Sequence, residues 1–172
     1  MVRGFRIPRS LLRGSSFLPW YNSVNFLPID FILYSSAKET KRVQGITKVL
    51  DKRTCGYKRR QEAMIKSTDH LENMVKRALR KGMRADYILM DSWFCFPSIL
   101  KKLNRHAPVI CMAKDMPKVF YRYDNRWLCL SNLYGSLKKR PGKAQILTNV
   151  ITKIKTGQKV KIVFVHHRHK RS

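Results

Sequence analysis

Two short apolar runs bracket a helix, and that alternation restricts the possible folds more than any other feature of the chain. The first run, Asp86-Tyr-Ile-Leu-Met-Asp91, is closed by an acid. It has the length and composition of a strand in a parallel sheet, covered on both faces. Pro97 then opens a helix through Ile99, Leu100 and Leu103, since proline's missing N–H costs nothing in a first turn. Val109-Ile-Cys-Met-Ala113 is a second short buried strand. With the strand and helix read upstream, the order is strand, helix, strand, helix, strand. This is an α/β layout with right-handed crossovers.

Upstream, Asn25 to Tyr34 reads as a buried or half-buried strand in which Pro28 must lie near an edge or at the start. Ser35 to Gly56 is polar, basic and aperiodic, so a loop is expected. From Tyr57 to Gly82 the pattern is helical, with Met64, Thr68, Leu71, Val75 and Ala78 forming one apolar stripe. The stripe runs past Asp69, so one continuous helix is expected. Glu62 can pair with Lys66 and Glu72 with Lys76, and Gly82 is the natural stop. After Asp115 the texture changes. Val119 to Leu130 alternates aromatic and polar residues about a turn at Asp124-Asn125. Ala144 to Ile154 and Lys159 to Val165 read as strands separated by Thr156-Gly157. Together these predict an antiparallel, β-rich insertion, with a basic loop from Leu137 to Lys143.

Charge limits the partners. The chain carries 37 Lys or Arg against 10 Asp or Glu, a formal +27 on 172 residues. The last glutamate is Glu72 and the last acid is Asp124, after which twelve basic residues follow with no carboxylate. Such a surface demands a polyanion, of which nucleic acid is the commonest, and binding should weaken steeply with salt. The basic residues are not gathered on one amphipathic helix, and no apolar run reaches membrane-spanning length. A DNA partner, no membrane and a cytoplasmic, DNA-associated location are therefore expected. At 44% hydrophobic the chain has enough apolar residues for a core. Cys55, Cys95, Cys111 and Cys129 form no Cys-x-x-Cys pair, which argues against a zinc ribbon and a secreted disulfide framework. Cys95 and Cys111 read as buried thiols. The first 29 residues are Arg- and Ser-rich without acids. That composition is transit-peptide-like, although the start of a basic domain or a truncation junction is the favoured reading.

Asp91 is the candidate catalytic and metal-binding residue. An acid at the carboxyl end of a parallel strand lies at the rim where open α/β sheets place ligands, and a carboxylate suits Mg²⁺. Ser92, Trp93 and Phe94 follow and can wall a site. The alternative is that Asp91 caps the next turn, and position alone leaves both open. Candidate DNA contacts are Arg59, Arg60, Lys138, Lys139, Arg140 and Lys143. His166, His167 and His169 read as a solvated tail. Trp93 and Trp127 interleave with basic residues as single-strand stacking requires, and core packing explains them equally well.

Ala85-Asp-Tyr-Ile-Leu-Met-Asp-Ser-Trp-Phe94 resembles the second-aspartate motif of DDE transposases of the insertion-sequence-four type. Phe26-Leu-Pro-Ile-Asp-Phe31, Asp51 to Arg60, Val109 to Lys118, Lys138 to Lys143 and Gly157 to Val165 resemble further blocks of that family, over about residues 25 to 170. The resemblance implies an RNase H-like core whose first strand is central, with a β-rich insertion between the second Asp and a final Glu. It also implies three carboxylates holding two Mg²⁺ or Mn²⁺ ions for in-line phosphoryl transfer on DNA.

Only Asp91 maps onto that triad. The family's first Asp lies upstream of the block that Gly4-Phe5-Arg6 resembles, and no glutamate follows Asp91. Trp20-Tyr-Asn-Ser-Val-Asn25 also departs from the family's Trp-x-Asp-Gly turn. Asp30 and Asp86 are poor substitutes, and Asp115 is the least poor. The expected fold is thus an incomplete RNase H-like core, a mixed sheet with flanking helices, followed by the β-rich insertion. Residues 1–24 are expected as a divergent or frayed segment, 25–115 as the partial core, 116–166 as the insertion and 167–172 as a basic tail. Without its first strand the core should have exposed edges. One carboxylate holds a divalent ion poorly, so metal retention, cleavage and joining are not expected of this chain alone. The expected function is a DNA-binding transposase fragment. The alternatives are a non-catalytic nucleic-acid-binding protein, or an inhibitory fragment that associates with full-length transposase or with itself.

Overall fold

Short apolar strands alternating with amphipathic helices give a mixed α/β architecture, with four helices and two sheets among the described residues. The computed structural model describes residues 3–7, 15–22, 24–36, 38–42, 45–141 and 145–166. The chain divides into two units, Met1–Met112 and Ala113–Ser172.

The first unit contains β1 (Gly4–Ile7), β2 (Ser15–Tyr21), β3 (Phe26–Leu33), α1 (Cys55–Glu62), α2 (Ser67–Arg80), β4 (Tyr87–Met90), α3 (Pro97–Leu103) and β5 (Val109–Cys111). Its sheet is mixed, in the order β3-β2-β1-β4-β5. β1 is antiparallel to β2 and parallel to β4, with Gly4 opposite Tyr21 and Ile7 opposite Met90. β4 and β5 are parallel. Within the segment expected to be divergent or frayed, Gly4–Ile7 and Ser15–Tyr21 are strands, and Gly4–Ile7 occupies the centre of the sheet. Where a missing central strand was expected, the described sheet has β1 at its centre. Pro28 is accommodated because β3 is an edge strand. Pro19, on the inner strand β2, sits where the β2–β3 register shifts, so the missing N–H falls at an irregularity.

α2 lays Leu71, Met74, Val75 and Ala78 onto Phe5, Ile7, Leu18, Ile32, Ile88 and Met90, and α3 adds Ile99 and Leu103. Each fully buried side chain of this size contributes about 1.5–3 kcal/mol relative to exposure. Tyr87 and Leu89 are only half-buried, and Ile110 on the edge strand β5 is 51% exposed. β4 and β5 are thus less covered than strands of a doubly wrapped sheet.

The expected single helix is two. Between α1 and α2 the chain turns, and the freed carbonyls find distant partners. The Ala63 carbonyl accepts from Ser35 N–H at 2.8 Å, and the Glu62 carbonyl lies 2.7 Å from the His70 ring Nε2. The Glu72–Lys76 pair forms at 2.9 Å, whereas Glu62 turns to Arg59 and Arg77 instead of Lys66. α2 stops at Gly82, whose φ is +82°.

The second unit contains β6 (Tyr121–Tyr123), β7 (Arg126–Leu128), α4 (Leu130–Ser136), β8 (Ile146–Ile154) and β9 (Lys159–Val165), with an antiparallel sheet ordered β7-β6-β8-β9. Asp124 and Asn125 make the two-residue β6–β7 turn with φ of +47° and +57°, the backbone that a type I′ hairpin requires. α4 lies between the alternating stretch and the basic loop, where no element was expected. It buries Leu133 and sets Tyr134 against Phe164, ring centroids 4.9 Å apart. The division between units comes at residue 112, three residues before the expected boundary.

Candidate functional site

Asp91 follows the last residue of β4, at the carboxyl rim of the parallel strands. Its N–H donates to the Ile7 carbonyl at 3.0 Å, extending the β1–β4 ladder by one bond. One carboxylate oxygen, Oδ1, accepts from Trp93 N–H at 2.9 Å and from the Ser92 hydroxyl at 3.2 Å. Asp91 thereby caps a single 3-10 turn, Ser92–Phe94. Asp91 therefore lies at the rim, as its position implied, and serves there as a cap. Its other oxygen, Oδ2, accepts no hydrogen bond among the described residues. Trp93 is 51% exposed beside it, while Phe94 turns into the core, so only one of the two rings is available to wall a site.

A two-metal centre needs several carboxylates converging on one point. The other nine acids are each held elsewhere. Asp30 lies 2.8 Å from Arg77 and 3.6 Å from Arg59, and Glu62 lies 2.6 Å from Arg77 and 3.1 Å from Arg59. Asp86 accepts from Arg3 N–H at 2.8 Å. Glu72 pairs with Lys76 and His106, Asp69 with Lys102, Asp51 with Arg53, and Glu39 with Arg42. In the second unit Asp115 accepts from the Ser131 hydroxyl and Asp124 lies 3.9 Å from Arg126. Among the described residues no three His, Cys, Asp or Glu side chains come together as a metal site. Among the described residues the donor set at Asp91 is one carboxylate oxygen, which does not fit a pair of divalent ions.

The candidate DNA contacts divide sharply. Arg59 is committed: besides its two carboxylates it donates to the Phe31 carbonyl at 3.1 Å and lies 5.3 Å from that residue's ring centroid. Arg60 donates to the Gly45 carbonyl at 3.1 Å, tying α1 to the preceding loop. Lys138, Lys139 and Arg140 are exposed in the second unit. Lys139 packs its ammonium over Tyr134, 4.4 Å from the centroid, and Arg140 anchors the segment by donating its backbone N–H to the Leu147 carbonyl at 2.8 Å. Lys143 lies outside the described residues.

Sequence reading missed two groupings. One is the Asp30–Arg77–Glu62–Arg59 cluster, in which only the Arg59–Glu62 pair has local i,i+3 spacing. The other is the row of cations along the second sheet, for which the alternation in Ile151-Thr-Lys-Ile-Lys155 and Lys159-Val-Lys-Ile-Val163 was the available signal. Cys95 and Cys111 are brought together, sulfur to sulfur at 2.8 Å. Cys95 is buried as expected, and Cys111 is only half-buried. No helix among the described residues is long and apolar enough to cross a membrane. Compared with known protein families, characterised proteins and solved structures, the chain matches none.

Proposed function

We propose that this chain is a partial catalytic domain of an RNase H-like DNA transposase of the insertion-sequence-four type, one that binds DNA and does not cut or join it unaided. The observation that carries the reading is the position of β1. It is the first strand in sequence yet central in the sheet, and it runs parallel to the strand that ends at Asp91. An RNase H-like sheet has its first strand in the same place. A β-rich unit after β5 supports the reading further, since the resemblance implies an insertion after the second aspartate.

Chemistry is withheld because Asp91 is alone. Phosphoryl transfer of this kind rests on metal ions that stabilise both the attacking and the leaving oxygen, and a single free oxygen does not hold them. The net charge of +27 still favours DNA. The natural partners are DNA, a full-length transposase or a second copy of this chain.

Supercoiled plasmid with Mg²⁺ or Mn²⁺ tests the reading. The chain and its Asp91→Asn variant, which keeps an N-cap side chain, should both retard the plasmid and leave it uncut. Nicking by the parent that disappears in Asp91→Asn or Asp91→Ala overturns the inactivity. Co-expression with an intact relative should lower transposition, and unchanged transposition together with no DNA retardation would sink the transposase reading. The second reading, a non-catalytic nucleic-acid-binding protein, is favoured by one observation: all ten acids have hydrogen-bond or ion-pair partners, and among the described residues no three converge.

A further inference from the structure

We propose that the outer face of the second unit's sheet is a platform for single-stranded DNA, centred on Trp127 and the cations Arg122, Lys153, Lys159 and Lys161. The inference goes beyond the transposase reading and stands without it, because it rests only on the charge and register of residues 121–165.

The strand registers place these side chains together. Trp127 is opposite Arg122, Arg122 is opposite Lys153, and Lys153 is opposite Lys159. Directly opposed residues in an antiparallel sheet project from the same face, so one row crosses all four strands. At about 4.8 Å per strand the row is about 14 Å long. The next row on that face pairs Ile151 with Lys161, and the one after pairs Asn149 with Val163. All of these are exposed, with Ile151 at 70%, Trp127 at 43% and Val163 at 43%. The intervening residues, Tyr121, Thr152, Ile154 and Ile162, are buried on the opposite face. There α4 supplies Leu133 and the Tyr134–Phe164 contact. One side of the sheet is therefore core and the other is open.

The composition of the open side selects its occupant. Residues 113–172 contain fifteen Lys or Arg and two acids, Asp115 and Asp124. Asp124 lies in the β6–β7 turn, 3.9 Å from Arg126, and Asp115 is engaged by Ser131, so neither sits in the row. Arg122 is steadied by Asn125 at 3.3 Å. Four cations in register on a flat surface match a polyanion. Charge alone would suit duplex or single strand equally, and the apolar groups between the cations decide. A duplex offers phosphates and grooves to a flat face and leaves Trp127, Ile151 and Val163 wet. A single strand turns its unstacked bases onto an indole while its phosphates reach the lysines, the combination of stacking and backbone neutralisation that such sites use.

Fluorescence anisotropy of the full chain with labelled (dT)20 and with a 20-base-pair duplex tests this. The single strand should bind more tightly. Trp127→Ala should weaken (dT)20 binding by about 5- to 150-fold, the range for one lost base stack, and Trp127→Phe should keep most of it. Lys153→Ala with Lys161→Ala should reduce the salt dependence of log K by about 1.4, at about 0.7 per phosphate contact on a single strand. Far-UV circular dichroism establishes that each variant is folded. Should Trp127→Ala unfold, the exposed lysine pair and Trp127→Phe still decide the matter. Equal affinity for duplex and single strand, a lysine pair with the parent's salt slope, or (rU)20 bound far more tightly than (dT)20 overturns the proposal.

Discussion

Arg77 should be a keystone of the first unit, and its removal gives a measurable cost. Its guanidinium reaches Asp30 on β3 at 2.8 Å and Glu62 at the end of α1 at 2.6 Å, so one α2 side chain ties three elements. The side chains of Arg77, Asp30 and Glu62 are 33%, 10% and 24% exposed. Exposed pairs contribute about 0.2–1 kcal/mol, whereas removing one partner of a buried pair costs about 3–5 kcal/mol through the stranded charge. Two features set Arg77→Met between these limits. Arg59 remains 3.6 Å from Asp30, so the carboxylate keeps a counter-charge. Arg77 Nη2 is buried without a hydrogen-bond partner, so part of the parent's desolvation cost is uncompensated and vanishes with the variant. The expected loss is about 2 kcal/mol, with methionine retaining most of the stem's packing. Urea unfolding followed by tryptophan fluorescence and circular dichroism measures it. The Arg77→Met and Asp30→Asn changes should be non-additive by about 1 kcal/mol. A variant within about 0.5 kcal/mol of the parent, or strict additivity, would show that the cluster is solvated and holds nothing together.

Arg59→Ala should lower stability by about 1 kcal/mol and leave DNA affinity within twofold, because its charge is already matched; a tenfold loss in anisotropy titrations would return it to the DNA surface. The Lys76 ammonium, bonded to Glu72, holds that carboxyl below its ordinary 4.5, and His106 adds to this against the opposing effect of burial. A depressed folded pKa means stability that is present above pH 4.5 and lost as pH falls through the folded value; Glu72→Gln should flatten this acid limb of the denaturation curve, and an unchanged limb contradicts the assignment. The Cys95 hydrogen bond, together with burial, pushes the Cys111 thiol well above its usual range, so exposed Cys55 should be modified first by a thiol reagent, and Cys111 labelling ahead of Cys55 in a mass-spectrometric time course refutes this.

How much of this was legible depends on how local each cause is. β4 and α3 were readable because a four-residue apolar run and a proline at the first helical turn are short-range signals. The β6–β7 turn was readable for the same reason, since Asp124 and Asn125 tolerate positive φ. The break between α1 and α2 was not. The apolar stripe passes straight through it, and the competing partners are Ser35 and the His70 ring, reached only once the chain has folded. Arg59 looked like a free cation in a basic run, and only the approach of β3 supplies Asp30. α4 was hidden because seven residues, Leu130–Ser136, are too few to establish a helical period.

By itself the sequence determined the charge balance and the supply of carboxylates. An excess of 27 positive charges and the absence of any glutamate after Glu72 are properties of composition that no folding can alter. Tertiary structure alone decided which charges are spent and which are presented. It seated Gly4–Ile7 between two strands, one of them more than eighty residues away, and it aligned Trp127, Arg122, Lys153 and Lys159 into one row. Strand register and salt-bridge partnering are settled by long-range packing, where side chains distant in sequence compete for the same neighbours, and local pattern carries no record of that competition.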